Sequence, residues 1–414
     1  MTTNHKRLVV LGAGPAGTMV VNKLRKVLSA DEWSIVVVDK DDVHDYQPGY
    51  LFIPFGMNTP EQVRKRKRPL IHRGITVVMG EIDRVDPEDK HVHLVDGTVL
   101  PYDQLVIATG TTPRPDQTPG TLGPQWHKEV GEFYTYEGAI ALRERLAGFS
   151  GGRLVVHITE LPIKCPVAPL EFTFLADDFL TKRGLRERTE LVFVTPLDGA
   201  FTKPVASKAL GSVLEDKGVI VEPDFMIERI DQERKVIVSY DEREVAYDQL
   251  VTIPLNMGAD FVARSGLGDE LNYVPVDKHT MQSTAHPDIW ALGDAGNLPT
   301  SKAGSVAHFS VEVFVENFVE HVAGRPMTHS FDGHANCFVE SGHGKALLLD
   351  FNYDTEPLTG HFPLPKVGPM TLLGESRANH LGKLAFRHVY WNALLPGRPL
   401  GLKPEMSMVG KNPA

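Results

Sequence analysis

Three closely spaced glycines near the amino terminus have the pattern of a phosphate-binding turn. Residues 8–11 are typical of a buried strand, and a helix-like segment follows the glycines to about Leu28. The first glycine makes the tight turn, the second lets the backbone approach a pyrophosphate, and the third lets the helix pack against the strand. The helix N-terminus favours bound phosphate. The predicted turn comprises Gly12, Gly14, Pro15, Ala16 and Gly17.

An acidic residue completes this pattern. A second apolar run, residues 34–38, ends at Asp39, which Lys40 follows. A carboxylate at this place can accept hydrogen bonds from ribose hydroxyls. Because the strand, glycines, helix and acid occur in this order, the sequence predicts a dinucleotide site. The next turn contains Pro48 and is either a segment beneath the cofactor or only a loop.

The chain has two cysteines, Cys165 and Cys337. Two cysteines make no disulfide framework, and neither lies in a Cys-x-x-Cys motif. Taken alone, they are typical of buried, inert thiols. Lys164 precedes Cys165 and is predicted to lower its pKa if the two are also neighbours in space. His157, Glu160 and His308 are candidates for proton transfer, with a structural role as the alternative for each.

Composition limits the classes of function. A chain of 414 residues is expected to form two or three domains. The net charge of −10 argues against nucleic-acid binding. No apolar stretch is long enough for a transmembrane helix, and no cleavable signal peptide is expected because its apolar run would be part of the glycine turn. No metal site is predicted.

Later strand ends extend the predicted dinucleotide site. A buried strand ends at Ala108, Thr109 and Gly110, where a glycine lets the chain pass close to a cofactor. Another strand ends at Gly293 and Asp294, whose carboxylate can bind cofactor hydroxyls. Further candidate residues are Lys302 and the helix that follows it to about residue 322, since a helix N-terminus stabilises nearby negative charge.

The middle of the chain resembles a second unit of the same kind without its glycine turn. Residues 153–158 form the expected strand, but residues 159–169 contain three prolines and Cys165 where glycines are needed. The segment Tyr247-Asp-Gln-Leu-Val echoes Tyr102-Asp-Gln-Leu-Val, which indicates a partial internal repeat. The predicted fold is α/β, with two Rossmann-like domains, the second lacking a working NAD motif, and a C-terminal α+β region that associates with membranes.

The predicted boundaries give a discontinuous first domain, residues 1–113 and 258–325, a second domain at 114–257 and a C-terminal domain at 326–414. In the last, Leu381, Leu384, Ala385, Trp391 and Leu395 are predicted to share one helix face, with Lys383 and Arg387 on its polar side. This helix is interpreted as interfacial, with a packed terminal helix or a dimer contact as alternatives. The basic run at 64–68 is either a solvated face or a contact with anionic lipid.

Four segments resemble the sulfide:quinone oxidoreductases, which are two-dinucleotide-domain flavoproteins. They are Pro162-Ile-Lys-Cys-Pro-Val-Ala-Pro169, Gly293-Asp-Ala-Gly-Asn-Leu-Pro-Thr-Ser-Lys-Ala-Gly304, Cys337-Phe-Val-Glu340 and Gly382-Lys-Leu-Ala-Phe-Arg-His-Val-Tyr-Trp391. The resemblance implies FAD, bound by the glycine turn, Asp39, Gly110 and Asp294, with Lys302 near the pyrimidine edge of the flavin.

The resemblance also implies that Cys165 and Cys337 are a redox pair. Sulfide would attack the bridged pair and leave a persulfide on one cysteine. The other thiolate would pass two electrons to the flavin, and a quinone would collect them on the opposite flavin face. The sulfur would leave as a persulfide or polysulfide. A peripheral membrane protein on the cytoplasmic side is expected, with a homo-oligomer as a possibility.

One departure from the family pattern concerns a third cysteine that many members carry. Residues 130–136 occupy that region and contain no thiol, which leaves the subtype, a covalent flavin link and the length of the sulfur chain open. Three alternatives remain. They are a single-subunit NADH:quinone oxidoreductase, which needs a second glycine turn, a flavocytochrome sulfide dehydrogenase subunit, which normally has an export signal, and a non-enzymatic redox module.

Overall fold

The computed structural model describes residues 5–412, so residues 1–4 and 413–414 of the predicted terminal domains lie outside the described part. The first stretch of the chain consists of strands with one helix. Its elements are β1 (Lys6–Leu11), α1 (Pro15–Val27), β2 (Trp33–Asp39), β3 (Val43–Asp45), β4 (Arg64–Arg66), β5 (Thr76–Met79), β6 (Ile82–Asp86), β7 (His91–Leu94), β8 (Val99–Pro101), β9 (Gln104–Ile107) and β10 (Thr112–Pro113).

The middle stretch alternates strands and helices and then adds a small antiparallel sheet. Its elements are β11 (Val130–Gly131), α2 (Tyr136–Gly148), β12 (Gly152–Ile158), α3 (Ala168–Lys182), β13 (Thr189–Val194), α4 (Pro204–Asp216), β14 (Ile220–Glu222), β15 (Ile227–Asp231), β16 (Val236–Ser239), β17 (Glu244–Ala246), β18 (Gln249–Ile253) and β19 (Asn256–Met257).

The last stretch returns to the first sheet and then builds a separate one. Its elements are α5 (Asp260–Arg264), β20 (Ile289–Ala291), α6 (Gly304–Val322), β21 (Ala335–Gly342), β22 (Lys345–Phe351), β23 (Gly360–Phe362), β24 (Met370–Leu372) and α7 (Arg377–Val389), which continues into a π-helical turn, Tyr390–Leu394. No helix among residues 5–412 combines the length and the apolar character needed to cross a membrane.

The first sheet is parallel and has the strand order β20-β9-β1-β2-β5. Its central strand β1 is a run of aliphatic residues that is buried from Leu8 to Leu11, as expected for a strand covered on both faces. The carboxyl ends of β1, β2, β9 and β20 therefore meet at one edge. This edge brings together the glycine turn, Asp39, residues 108–110 and residues 293–294, which are far apart in sequence.

The second sheet repeats the first. Its order is β11-β18-β12-β13-β14, also parallel, and β18 lies beside β12 as β9 lies beside β1. The echoed segments at Tyr102 and Tyr247 thus lead into equivalent strands. The α/β prediction with two Rossmann-like sheets is confirmed, and the C-terminal sheet, β21-β22-β24-β23 with α7, is the expected α+β region. The exact domain boundaries stay a prediction.

Candidate functional site

The glycine turn is packed as the motif requires. Gly12 has φ of +93°, and a Cβ there would lie 2.5 Å from the carbonyl oxygen of Ala108. A Cβ on Gly17 would overlap the carbonyl oxygen of Gly12. Around Gly14, by contrast, a Cβ would meet no atom of the described chain within 4 Å. The turn therefore combines a crowded base with an open position where a phosphate can approach the backbone.

Neighbouring strand ends face the same turn and fit a dinucleotide. Gly293 has φ of +62°, and a Cβ on it would lie 3.0 Å from the Cβ of Ala16. Gly110 has φ of +69° and open space beside it. The hydroxyl of Thr109 is buried and has no hydrogen-bond partner among residues 5–412. Because buried polar groups are normally paired, this orphaned hydroxyl and the open glycines fit a bound FAD.

Asp39 is fixed by the chain around it. Its carboxylate accepts hydrogen bonds from the N–H of Ala13 at 2.7 Å and of Lys40 at 2.8 Å, and its Oδ1 lies 2.7 Å from Nζ of Lys67. Lys67 is buried and sequence reasoning missed it, because it lies in the basic run. That run is largely neutralised, since Arg64 pairs with Asp45 and Arg66 pairs with Asp42. These pairs favour the solvated-face interpretation of the run over a contact with anionic lipid.

Two predicted cofactor residues lie at the surface. The side chain of Lys40 is exposed, and Pro48 is exposed in a 3-10 turn, Gln47–Phe52. The neighbours of Pro48, Tyr46 and Tyr50, are buried. The assignment of Lys40 and Pro48 to cofactor binding stays a prediction.

Lys302 is partly buried and holds the backbone of the loop that carries Asp294. Nζ of Lys302 donates to the carbonyl oxygens of Asp294 at 3.0 Å and Gly296 at 3.1 Å, and it lies 3.6 Å from the ring centre of Tyr273. Burial raises the pKa of Asp294, and the charges of Lys302 and Lys164 oppose this rise. Burial lowers the pKa of Lys302. The ammonium of Lys302 thus contacts two carbonyl oxygens and one aromatic ring of the protein. These contacts stabilise the conformation of the loop that carries Asp294.

Replacing Gly14 with alanine tests the cofactor assignment. Gly14 has a backbone conformation that alanine adopts freely and open space around it, so the variant should keep its thermal stability. We expect its affinity for FAD to fall about tenfold or more, or about 1.4 kcal/mol, because the new Cβ would lie where the pyrophosphate approaches. FAD titration of the apoprotein measures this.

The matched control is Gly148→Ala, since Gly148 in α2 also has open space around it and lies away from the turn. Equal FAD affinity in both variants would contradict the assignment.

His44 links the glycine turn to the end of α7. Its Nδ1 lies 3.1 Å from the carbonyl oxygen of Ala13, and its Nε2 lies 2.6 Å from the hydroxyl of Tyr390. A carbonyl only accepts, so Nδ1 carries the proton and Nε2 accepts from Tyr390. Burial lowers the pKa of His44 to about 4, which keeps the ring neutral. The segment after α7 is therefore connected to the glycine turn through hydrogen bonds of His44.

Cys165 occupies the loop of the second unit that corresponds to the glycine turn of the first. The loop joins β12 to α3, and Cys165 lies just before the helix. Cys337 lies on β21, which packs against α3. Both thiols are free and partly buried. The fold thus brings the two cysteines near each other, and the charge of Cys337 raises the pKa of Cys165.

A buried ion pair lies beside both thiols. Lys383 of α7 pairs with Glu171 of α3 and donates to the carbonyl oxygen of Phe338 at 2.8 Å. Glu171 also accepts from the N–H of Glu340 at 2.8 Å, and Glu340 pairs with Nδ1 of His380 at 2.9 Å. Glu171 and Lys383 belong to helices next to the cysteines. The sequence analysis selected neither of them as a site residue.

The thiol pKa values show what this pair does. Burial raises the pKa of Cys165 well above its ordinary value, Glu171 and Cys337 raise it further, and Lys383 lowers it. Burial and then Glu171 raise the pKa of Cys337 to about 12, again opposed by Lys383. The net pKa of Cys165 is raised because burial outweighs the opposing charge of Lys383. Burial lowers the pKa of Lys164 and the charge of Cys165 opposes that change, so the two groups do interact, and the prediction that Lys164 lowers the pKa of Cys165 stays a prediction.

The prediction for the two sides of α7 differs from the structure. The sequence predicts Lys383 on the outer, polar side of the helix. The side chain of Lys383 is 12% exposed and pairs with Glu171, and Trp391 and Leu395 are buried. Leu381 and Leu384 are 63% and 42% exposed. The helix therefore buries most of Lys383 and exposes two leucines. The reason is the partner, Glu171, which lies too far away in sequence for a helical pattern to reveal.

The three predicted proton carriers have different surroundings. His157 is fully buried within the second sheet, its Nδ1 lies 3.0 Å from the hydroxyl of Thr252, and burial lowers its pKa to about 3. His308 lies on α6 near Glu312, and burial lowers its pKa. Glu160 is exposed. His157 fits the structural alternative, because a buried neutral ring inside a sheet exchanges no proton with a site.

Comparisons with known proteins agree with this geometry. The family model for pyridine nucleotide-disulphide oxidoreductases matches residues 6–156. Mitochondrial sulfide:quinone oxidoreductases of Dictyostelium discoideum and Schizosaccharomyces pombe are 26% and 28% identical to this chain, covering 96% and 94% of it and 88% and 90% of the relatives. The crystal structure of the Aquifex aeolicus sulfide:quinone oxidoreductase shares the fold, with a TM-score of 0.81 at 18% identity, covering 96% of this chain and 93% of that one. These findings confirm the resemblance predicted from the motifs.

Proposed function

We propose that this chain is an FAD-dependent sulfide:quinone oxidoreductase. The observation that carries the proposal is the placement of the chain's two cysteines, from separate parts of the sequence, beside one buried ion pair. The full-length similarity to sulfide:quinone oxidoreductases supports it. Sulfide is the electron donor and a quinone the acceptor.

The cysteines carry the sulfur chemistry. In the oxidised protein Cys165 and Cys337 share a disulfide. A hydrosulfide ion attacks one sulfur, the S–S bond breaks, and one cysteine becomes a persulfide while the other leaves as a thiolate. A second nucleophile, such as another hydrosulfide, then removes the outer sulfur and leaves a second thiolate. Re-forming the disulfide from the two thiolates releases two electrons.

The glycine turn, Asp39 and the loops at 108–110 and 293–294 would hold FAD, which would supply an acceptor for these two electrons and a donor to a quinone. The protein residues around this site would bind the cofactor and fix its orientation. The neutral His44 and the buried Lys67 hold the turn and Asp39 in place. Lys383 stabilises the thiolate that forms at either cysteine, because its positive charge lowers the pKa that burial raises at both thiols.

An NADH:quinone oxidoreductase, the main alternative, would need a nicotinamide-binding turn in the second unit. A nicotinamide dinucleotide needs bare backbone after β12, and the loop there carries Cys165 and prolines. An anaerobic titration of the flavin absorption band separates the two. We expect sulfide to bleach the band, NADH to leave it unchanged, and a quinone analogue to restore it. Bleaching by NADH alone would favour the alternative, and a protein that takes up no FAD would contradict the proposal.

The C-terminal region supplies a surface suited to a membrane. Seven apolar side chains of the C-terminal region, here together called the apolar C-terminal surface, are exposed: Leu364, Val367, Leu381, Leu384, Leu402, Met408 and Val409. Exposed cations at Lys366, Arg377 and Lys403 lie among them in sequence. Apolar groups with interspersed cations are typical of segments that lie in the headgroup layer of anionic bilayers. We propose that these side chains bring the protein to the bilayer in which a quinone dissolves.

The double variant Leu381→Gln with Leu384→Gln tests this surface. Both side chains are exposed, so folding should be unaffected. We expect binding to anionic liposomes to weaken by about 3 kcal/mol, or roughly a hundredfold, if both leucines insert. Sedimentation with vesicles of phosphatidylglycerol and phosphatidylcholine measures this.

Point substitutions suit this test better than removal of the C-terminal segment, because α7 and the π-helical turn after it contribute the buried residues Asn379 and Tyr390. The control variant is Val95→Gln with Tyr240→Gln, two side chains that are 63% and 75% exposed elsewhere. Equal loss of binding in both double variants would contradict the assignment of this surface.

A further inference from the structure

Cys165 has a backbone conformation that side-chain-bearing residues rarely adopt. Its φ is +48°, in the left-handed region, where Cβ crowds the backbone. A residue stays in that region only when its surroundings fix it there, and such residues concentrate at functional sites. The N–H of Cys165 donates to the carbonyl oxygen of Lys302 at 2.6 Å, and its own carbonyl oxygen accepts from the N–H of Ala168 at 2.8 Å.

One side chain completes this arrangement. The hydroxyl of Tyr134 donates to the carbonyl oxygen of Cys165 at 3.1 Å. Tyr134 is 4% exposed. Its hydroxyl contacts the backbone of the cysteine itself and not a strand of the sheet. The carbonyl oxygen of Cys165 thus accepts two hydrogen bonds, and both oppose a rotation of the peptide that would relax the left-handed turn.

Tyr134 is itself fixed before it reaches Cys165. The buried carboxylate of Glu132 accepts hydrogen bonds from the N–H of Tyr134 and, at 2.9 Å, of Thr135. The ring of Phe133 stacks on Phe172 of α3, with the centres 4.8 Å apart. The segment before α2 is therefore attached to the helix that follows Cys165, and the hydroxyl is held in one place.

We propose that Tyr134 is a positioning residue for the redox pair: its hydroxyl holds the left-handed turn at Cys165 and so fixes the direction in which the thiol faces Cys337. The inference rests on the proposed function, in which these two cysteines form and break a disulfide. Disulfide exchange needs a particular approach of the sulfur atoms, so a turn that relaxes slows the reaction without removing either thiol.

The variant Tyr134→Phe removes only the hydroxyl. We expect sulfide-driven bleaching of the flavin to slow about three- to tenfold, the effect of one lost hydrogen bond, while reoxidation by a quinone analogue keeps its rate. In the reduced protein, alkylation of Cys165 by iodoacetamide should become about threefold faster or more, because the thiol of a relaxed turn is more accessible, while alkylation of Cys337 stays unchanged. Mass spectrometry of the labelled peptides follows each cysteine separately.

The control is Tyr247→Phe, which removes another buried hydroxyl, one without a hydrogen-bond partner in the described chain. Parallel changes at Cys165 and Cys337 would mean general loosening of the protein and would overturn the proposal, as would unchanged rates at both. The labelling experiment uses no sulfide. If wild-type protein is not bleached by sulfide, the proposed function fails, and the labelling contrast still decides the role of Tyr134.

Discussion

Replacing Cys337 with alanine should abolish sulfide-driven reduction of the flavin while leaving FAD bound. Cys337 lies on β21 in the C-terminal sheet, whereas the glycine turn belongs to the first sheet. Without its sulfur no disulfide can form with Cys165, and hydrosulfide has no S–S bond to attack. We expect the rate constant for bleaching to fall by roughly three orders of magnitude or more, as for other essential nucleophilic pairs.

Stopped-flow absorption under anaerobic conditions measures this rate, and the flavin-to-protein absorption ratio reports FAD retention. The control is Ser341→Ala on the same strand, which removes a buried hydroxyl that has no partner within residues 5–412. A Cys337→Ala protein that is reduced at the wild-type rate would contradict the paired-cysteine mechanism. A protein that loses its FAD would show that Cys337 also serves the cofactor site.

The sequence predicted best what is local. The turn at Gly12, Gly14 and Gly17 is recognisable because its packing involves neighbours in the same strand–turn–helix unit. The equivalence of the strands after Tyr102 and Tyr247 was visible as repeated residues. The juxtaposition of Cys165 and Cys337 came only from the resemblance, since no spacing rule joins a loop of the second sheet to a strand of the third.

Residues whose role depends on a distant partner were missed. Lys383 looked like the polar side of an amphipathic helix because helical periodicity says which residues share a face and not which face is buried. Lys67 was hidden in a basic run, although its partner Asp39 had been selected. Tyr134 lies in a segment noted only for its lack of cysteine. Each role depends on one long-range contact that the local pattern does not contain.

The buried setting of the thiols has a consequence for their reactivity. Burial raises the pKa of both Cys165 and Cys337, so at neutral pH the reduced pair is held as thiols. The thiolate, not the thiol, is the nucleophile in disulfide exchange, and a leaving thiol of high pKa leaves slowly. Lys383 partly offsets this effect, because its charge lowers the pKa of both thiols.

Lys383→Met and Glu171→Gln should shift thiol reactivity in opposite directions. Lys383 lowers the pKa of both thiols and Glu171 raises it. Removing Lys383 should move the alkylation profile of both cysteines to higher pH, because thiolate then forms only at lower proton concentration. Removing Glu171 should move it to lower pH. At neutral pH we expect Lys383→Met to slow sulfide-driven bleaching about tenfold or more, the effect of one pH unit in thiolate fraction.

Loss of Lys383 also leaves a buried carboxylate without its partner, which destabilises a protein by about 3–5 kcal/mol. The double variant with Glu171→Gln removes that charge as well and should recover part of the stability. It should also return the alkylation profile toward the wild-type position, because the two opposed effects are then both absent. Lys345→Met serves as the control, since Lys345 is about half exposed and its pair with Glu375, at 3.4 Å, lies at the surface. If both single variants moved the profile in the same direction, the ion pair would act through general loosening of the site and not through its charges.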